Sequence, residues 1–389
     1  MLELNKIRTF LQNRILFLIQ EIFFSLLIHG NNFNNNRVLI VRLDAMGDYI
    51  LFRNFIEQLR KVPEYANTNL TLCGNVKWKQ LAQELDSEFI DEFIWINTKK
   101  FFNNVIYRFD FLWKIYRLKF GVVIEPTFSR EALYGDSIVR ATNAKIRIGS
   151  SGESHARKEW KRKYITNKFY TKIIPASSAP KFEFLRNLEF FEKLLNKKID
   201  LKSPYIRIED LTSTFTHKKE YILLAIGAGT KDRKWSIKNY INLINWIMKE
   251  TTYDIILVGD KNDFLESKRI NRIFNNKIKN LIGSTSLPEL LSVIYQARLI
   301  VTHDSAVLHI SYILKKQFVC ISNGKHFKRF HPYPDDTCNI YLYPWKESNL
   351  LGDKEFNKIR MGKGFNINKI TTTEVTAGIK NLLKARRVC

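Results

Sequence analysis

The chain is poor in cysteine and in acidic residues, and it has no long uninterrupted apolar run. Its four cysteines, Cys73, Cys320, Cys338 and Cys389, are scattered. None stands in a CxxC pair, so neither a zinc or iron site nor a disulfide framework is implied, and they read as reduced thiols. Residues Leu2–Ile28 are strongly apolar, but Lys6, Arg8, Arg14 and Glu21 interrupt them. The unbroken part falls short of the ~20 residues that cross a bilayer. A small-residue cleavage site is also missing, which argues against a signal peptide. No short internal repeat is visible. Acidic residues number 38 against 63 Lys+Arg, a formal charge of +25. Such a balance favours anionic partners: nucleic acid, anionic lipid or phosphorylated substrates. It does not bear on the fold. With 45% hydrophobic and 26% charged residues, disorder is excluded.

What is present is a two-part pattern. A chain of 389 residues fits two domains better than one core. Leu4, Ile7, Leu11, Ile15, Leu18, Ile22 and Leu26 recur at helical spacing, which predicts an amphipathic helix. It either lies in a membrane interface or packs on the protein. Asn31–Asn36 then reads as a polar linker. Beyond it, strands at Val38–Arg42, Leu70–Cys73, Phe89–Ile96 and Val122–Glu125 alternate with helices at Tyr49–Arg60, Trp78–Leu85 and Phe101–Leu118. The stretch Arg157–Lys168 reads as an exposed basic loop, and Lys181–Asn196 as an aromatic-rich helix. Alternation restarts with strands at Tyr221–Ile226, Asp254–Val258, Leu299–Thr302 and Gln317–Ser322. Their helices fall at Ser236–Lys249, Asp263–Phe274, Ser286–Gln296 and Ser305–Leu314, with a last one at Thr372–Ala385. Ser286 and Glu289 form a capping-box pattern. Tyr341–Phe365 has no clear reading. The expected class is α/β, two Rossmann-like domains with parallel sheets facing across a cleft. The divisions are 1–36, 37–205, 206–371 and 372–389.

In such sheets ligands bind beyond the C-terminal ends of strands, so chemistry is sought in four turns. In the first, Arg42–Asp48, Gly47 permits a sharp turn. Asp48 is either a helix N-cap or a carboxylate able to take a proton from a hydroxyl, and Asp44 is a second candidate. In the second, Gly227, Gly229 and Thr230 offer backbone amides to a phosphate, and Lys234 adds charge. Asp232 stands where the dinucleotide fingerprint needs its third glycine, and the Walker pattern is absent. In the third, Gly259–Asp263, Asp263 either caps a helix or accepts from ribose hydroxyls. In the fourth, Ser305 opens a helix whose His309 lies one turn on, on the same side, behind Asp304 and Ala306.

As an ordered set these turns resemble glycosyltransferase family 9, the ADP-heptose:lipopolysaccharide heptosyltransferases and their relatives. The resemblance runs from about Arg37 to Pro334. It is strongest in RVLIVRLDAMGDYILFRNFIEQLR, in Ala225–Trp235, and in LIGSTSLPELLSVIYQARLIVTHDSAVLHIS. It implies a GT-B fold and an inverting transfer of a sugar, heptose from ADP-heptose, to a lipopolysaccharide core or related cell-surface glycan. It also implies that no metal or other cofactor is needed, and no DxD triplet occurs. The family's general base matches Asp48, its phosphate-binding lysine Lys234, and its ribose acid Asp263. Its DSGxxH-like motif matches Asp304, Ser305 and His309, with Ala306 where glycine is usual. Its acceptor-side basic residue matches Arg130 approximately. Arg130, Arg157, Lys158, Lys161, Arg162 and Lys163, with Asp44, are then candidates to hold an anionic glycolipid at the cytoplasmic face of the inner membrane. Nucleic acid is not an expected partner. The alternatives are another GT-B sugar-nucleotide enzyme, such as an epimerase, or a non-catalytic basic protein that binds membrane or nucleic acid.

Overall fold

The computed structural model describes residues 15–24, 26, 33–152, 160, 162–179, 181–211, 215–345, 362 and 364–385. The chain divides into two compact units. The first runs to Pro180 and takes back Phe184–Lys202; the second holds Lys181–Glu183 and everything from Ser203.

The first unit is a six-stranded sheet of β1 (Asn34–Arg42), β2 (Asn69–Asn75), β3 (Glu92–Ile96), β4 (Phe120–Glu125), β5 (Ile146–Ser150) and β6 (Lys172–Ile174). Its order is β3-β2-β1-β4-β5-β6, all parallel. Near-continuous runs such as VLIV in β1 are buried on both faces, as a helix-covered parallel strand requires. The expected linker is partly strand: Asn34–Asn36 extend β1, and Asn34 pairs with Phe120. Two expected helices are each broken in two. Met46–Ile50 and Asn54–Arg60 are separate, as are Thr98–Asn103 and Val105–Arg117. In the second case Asn104 causes the break, because its side chain accepts from the Tyr107 amide and starts a new helix.

The second unit has β7 (Tyr221–Ala225), β8 (Asp254–Val258), β9 (Lys279–Asn280), β10 (Leu299–His303), β11 (Phe318–Ile321) and β12 (Ile340–Leu342). Its order is β12-β11-β10-β7-β8-β9, again all parallel. Counted from each unit's own first strand, both sheets follow the order 3-2-1-4-5-6 of dinucleotide-binding folds. The order therefore reverses between β1 and β4, and again between β7 and β10. The helix Leu287–Gln296 carries the expected capping box of Ser286 and Glu289. The last helix, Thr372–Lys384, packs Val375, Ile379 and Leu382 into the second core. Cys73 and Cys320 are free and buried, whereas Cys338 is disulfide-bonded, so the reading of four reduced thiols fails there.

The helix at residues 15–24 packs on the first unit. Phe24 joins its core, and Gln20 donates to the Val105 carbonyl at 2.8 Å. Among the described residues no helix is long and apolar enough to cross a membrane.

Candidate functional site: two sheet switch points

At the first switch point, β1 ends on Arg42, whose side chain is fully buried. Its Nε lies 3.0 Å from Asp44 and its Nη2 4.0 Å from Asp48. Asn187 accepts from the same guanidinium at 3.2 Å, and the Phe52 ring lies 5.1 Å away. Two carboxylates are thus gathered on one buried cation. The buried arginine that gathers them escaped the sequence reading, because nothing local distinguishes it from a strand-end surface charge. The N-cap of the following helix is Ala45, so Asp48 falls in the first turn, with its side chain 20% exposed.

Beside this turn lies a cavity of about 610 Å³, lined by Asp44, Lys77, Thr98, Lys99, Glu125 and Arg130 among others. Asp48 is not part of that lining. Under it sits a buried acid–base cluster at the end of β4. Arg130 bonds Asp136 at 3.1 Å and Asn167 at 2.5 Å, over the Tyr170 ring. The Tyr170 hydroxyl contacts both Asp136, at 2.6 Å, and Glu125. Burial and the neighbouring Asp136 push the Glu125 carboxyl well above its usual range. Asp136 balances Arg130, so the cluster holds two acids with one positive charge. Gly135 makes room for it: a Cβ there would meet Glu125 Oε1 at 1.8 Å.

Of the expected basic loop, Arg157, Lys158 and Lys161 lie outside the described residues. Lys163 is exposed, its ammonium 5.5 Å from the Tyr164 ring. Arg162 departs from the expectation. It is 4% exposed, and its Nε lies 2.9 Å from where a Cβ on Gly152 would stand. The loop reading did not foresee that this member of the run turns inward.

At the second switch point, the turn after β7 and the end of β10 are clasped by His303. Its Nε2 accepts from the Trp235 amide at 3.0 Å, and its Nδ1 faces the Gly227 carbonyl at 3.2 Å. Nδ1 therefore carries the proton. Burial pushes its pKa down to about 4, so the ring is neutral. The helix Ala306–Ile313 follows, with Ser305 at its N-cap and no side-chain cap bond to its first amides. The first amides of a helix have no intrahelical acceptor, and the dipole at that end favours an anion; here Leu308 turns its amide to the Ser305 carbonyl at 3.1 Å.

Cations border these turns. Lys234 is paired with Asp263 and lies 3.5 Å from Glu266. Burial opposes its charge, but the bonds to Asp263 and Glu266 raise its pKa. Arg233 lies 3.2 Å from Asp304, and His331 lies 3.5 Å from it. Burial opposes the Asp304 charge too, yet His331 and Arg233 hold its pKa well below the carboxylate range.

Asp263 is buried, and besides Lys234 it receives the Asp260 amide at 3.0 Å as part of a capping box. It also explains Gly227, where a Cβ would meet its Oδ2 at 2.4 Å. No neighbour crowds Gly229 in this way, and Thr230 caps a short 3-10 turn. Ala306 is half-buried at the helix start. His309 is buried and bonds the Tyr333 hydroxyl at 2.9 Å, with its pKa pushed by burial to about 4. Sequence reasoning missed His303 and Glu266; the latter's carboxylate, 40% exposed, stands at the mouth beside Lys234. Among the described residues, no group of three His, Cys, Asp or Glu side chains is placed to hold a metal ion.

Two parallel α/β units, each with this strand order, make a GT-B-like fold. The family model of glycosyltransferase family 9 (heptosyltransferase) matches residues 129–358, more than half of the chain. The chain belongs to that family. Among solved structures it resembles the family 9 glycosyl transferase of Veillonella parvula DSM 2008, at 17% identity and a TM-score of 0.69, covering 90% of this chain and 98% of that one. It also resembles the E. coli heptosyltransferase WaaC with ADP, at 16% identity and a TM-score of 0.64, covering 90% and 98%. The E. coli ADP-heptose lps heptosyltransferase II matches at 14% identity and 0.62, covering 89% and 98%. These likenesses establish the fold. No curated protein matched by sequence.

Proposed function

We propose that this enzyme transfers a heptose-like sugar from a nucleoside diphosphate, ADP-heptose in the first instance, to an anionic cell-surface glycolipid acceptor. The observation that carries this reading is the His303 clasp. It holds the Gly227–Thr230 turn beside the uncapped N-terminus of Ala306–Ile313, so that backbone amides and the cations Lys234 and Arg233 border one site. A diphosphate fits that chemistry.

In this reading the leaving diphosphate is stabilised by amides and by Lys234, in place of a metal ion. Asp48 takes the proton of the acceptor hydroxyl as it attacks the anomeric carbon, and configuration inverts. Asp44 is held more closely by Arg42 and lines the cavity, which suits binding the acceptor. Lys77, Lys99 and Lys163 supply positive charge for an anionic acceptor, and the reaction sits on the cytoplasmic side of the inner membrane. The relatives crystallised with ADP and with ADP-2-deoxy-2-fluoro heptose support the choice of donor.

The test is thermal-shift binding against ADP, UDP and GDP species without added divalent cation. Selective stabilisation by ADP or ADP-heptose is the expected result, since a ligand bound to the native state raises the melting temperature. Stabilisation only by UDP or GDP species would replace the donor. Silence across the panel would overturn the reading.

A further inference from the structure

The helix at residues 15–24 is built inside out. Its inward face carries Gln20 and Glu21 as well as Phe17 and Phe24, all buried. Glu21 is clasped by two buried guanidinium groups: Arg108 at 2.8 Å, and Arg140. Arg108 in turn stacks within 4.9 Å of Phe17 and 4.3 Å of Phe101. Among the described residues the outward face has no polar side chain: Ile15, Leu18, Ile19, Ile22 and, just beyond, Leu26 are each more than half exposed. A helix bathed in water does the reverse, with charge outside and apolar side chains inside. A contiguous apolar face of this kind marks a surface that something covers.

The neighbouring helix continues it. Phe23 meets Phe109 at 5.6 Å, Phe109 stacks on Trp113 at 6.3 Å, and Trp113 meets Tyr116 at 5.6 Å. Ile106, one turn before Phe109, is 73% exposed. Lys114 and Arg117 are exposed at the end of this band, and Asp110 is the acidic residue exposed on the same helix. Aliphatic residues flanked by Trp and Tyr, with Lys and Arg at the edge, match the depth profile of a membrane–water interface. Charge decides between a bilayer and a second copy of the chain: two molecules of +25 repel each other, whereas anionic headgroups attract each one.

We infer that residues 15–24 with Leu26 and the exposed face of Val105–Arg117 form one docking surface that lies in the headgroup region of a bilayer containing anionic lipid. The Glu21 clasp fixes the helix to the enzyme, so insertion anchors the first unit directly. The inference extends the membrane part of the proposed function, and its test uses neither donor nor acceptor, so either can fail alone.

The full-length protein is floated with vesicles of phosphatidylcholine alone or with added phosphatidylglycerol. Wild type should partition at least about tenfold more strongly onto the anionic vesicles. Leu18→Gln with Ile22→Gln should lower that partitioning about tenfold, since two buried aliphatic side chains are lost. Its melting temperature should match wild type. Lys114→Gln with Arg117→Gln leaves the helix intact and should remove part of the anionic preference. Equal recovery of wild type and the aliphatic double variant would overturn the inference. So would a dimer in lipid-free buffer that the same two substitutions dissolve, because a second copy would then be the cover.

Discussion

In the unit that begins with β1, the turn after the first strand gathers two carboxylates on a buried guanidinium, beside a 610 Å³ cavity. In the unit that begins with β7, the corresponding turn offers backbone amides, and its side-chain charges are Lys231, Asp232, Arg233 and Lys234, three cations to one acid. Strand order is the same in both. The difference lies in the few residues after each strand. Topology supplies the location of a site, and turn residues supply its chemistry. Under the proposed function, one unit takes the proton and the other holds the leaving anion.

The sharpest way to break this contrast is Asp48→Ala. Transfer should fall by about a thousandfold or more, as for loss of a general base, while ADP binding and melting temperature stay put. Retained transfer would move the base elsewhere in the first unit, and Asp44→Asn is the comparison to run beside it. Next comes Arg42→Met, which strands two carboxylates against a buried apolar face. It should cost about 3–5 kcal/mol in urea unfolding, with exchange rising first in the β1 sheet.

Acid separates the units in a different way. His303 and His309, both in the second, have pKa values near 4 against an ordinary 6.5. Unfolding lets them take up protons, so the stability they provide is complete above pH 6.5 and is lost as the pH falls towards 4. A shift of that size corresponds to about 3 kcal/mol for each ring. Glu125, in the first unit, has the opposite sign. Its pKa is raised, so its contribution is complete below the ordinary carboxylate pKa and is lost as the pH rises. Hydrogen exchange followed separately over the two sheets should therefore show the β7 sheet loosening first on acidification. Simultaneous loosening would refute the assignment.

Two smaller effects sharpen the picture. Lys234→Ala should weaken ADP binding about ten- to a hundredfold in calorimetry and also lower the melting temperature, because the buried Asp263 loses its cation. Glu125→Gln should change unfolding by about 1 kcal/mol or less, because a neutral amide replaces a carboxyl that burial already favours as neutral. Asp136→Asn, which removes the charge facing Arg130, should cost more.

Strands with four or five adjacent Val, Ile and Leu residues were legible in the sequence, as were helices with a hydroxyl and a glutamate three apart. Short strands were not. β6 and β9 have three and two residues, too few to show a period. Asn34–Asn36 looked like linker because strand propensity is low there, yet backbone pairing with β4 recruits them. The four turns could be located because glycine and charge cluster after apolar runs. What could not be read were partners far apart in the chain. Arg42 with Asn187, Glu125 with Tyr170, and His303 with Gly227 are each separated by 45 residues or more. Arg162 was misplaced for the same reason: a charge run gives no sign of which member turns inward.

The edges of the two sheets carry a consequence for handling the protein. Of the four edge strands, β3 has five residues and opens on the exposed Glu92, whereas β6, β9 and β12 have only two or three, with Lys172 and Lys279 in two of them. An edge that short offers another chain almost no ladder to extend, and a lysine there makes the approach of a second strand costly. Concentrated samples should therefore resist cross-strand pairing at these three edges, which leaves β3 as the edge through which any strand-to-strand association would run.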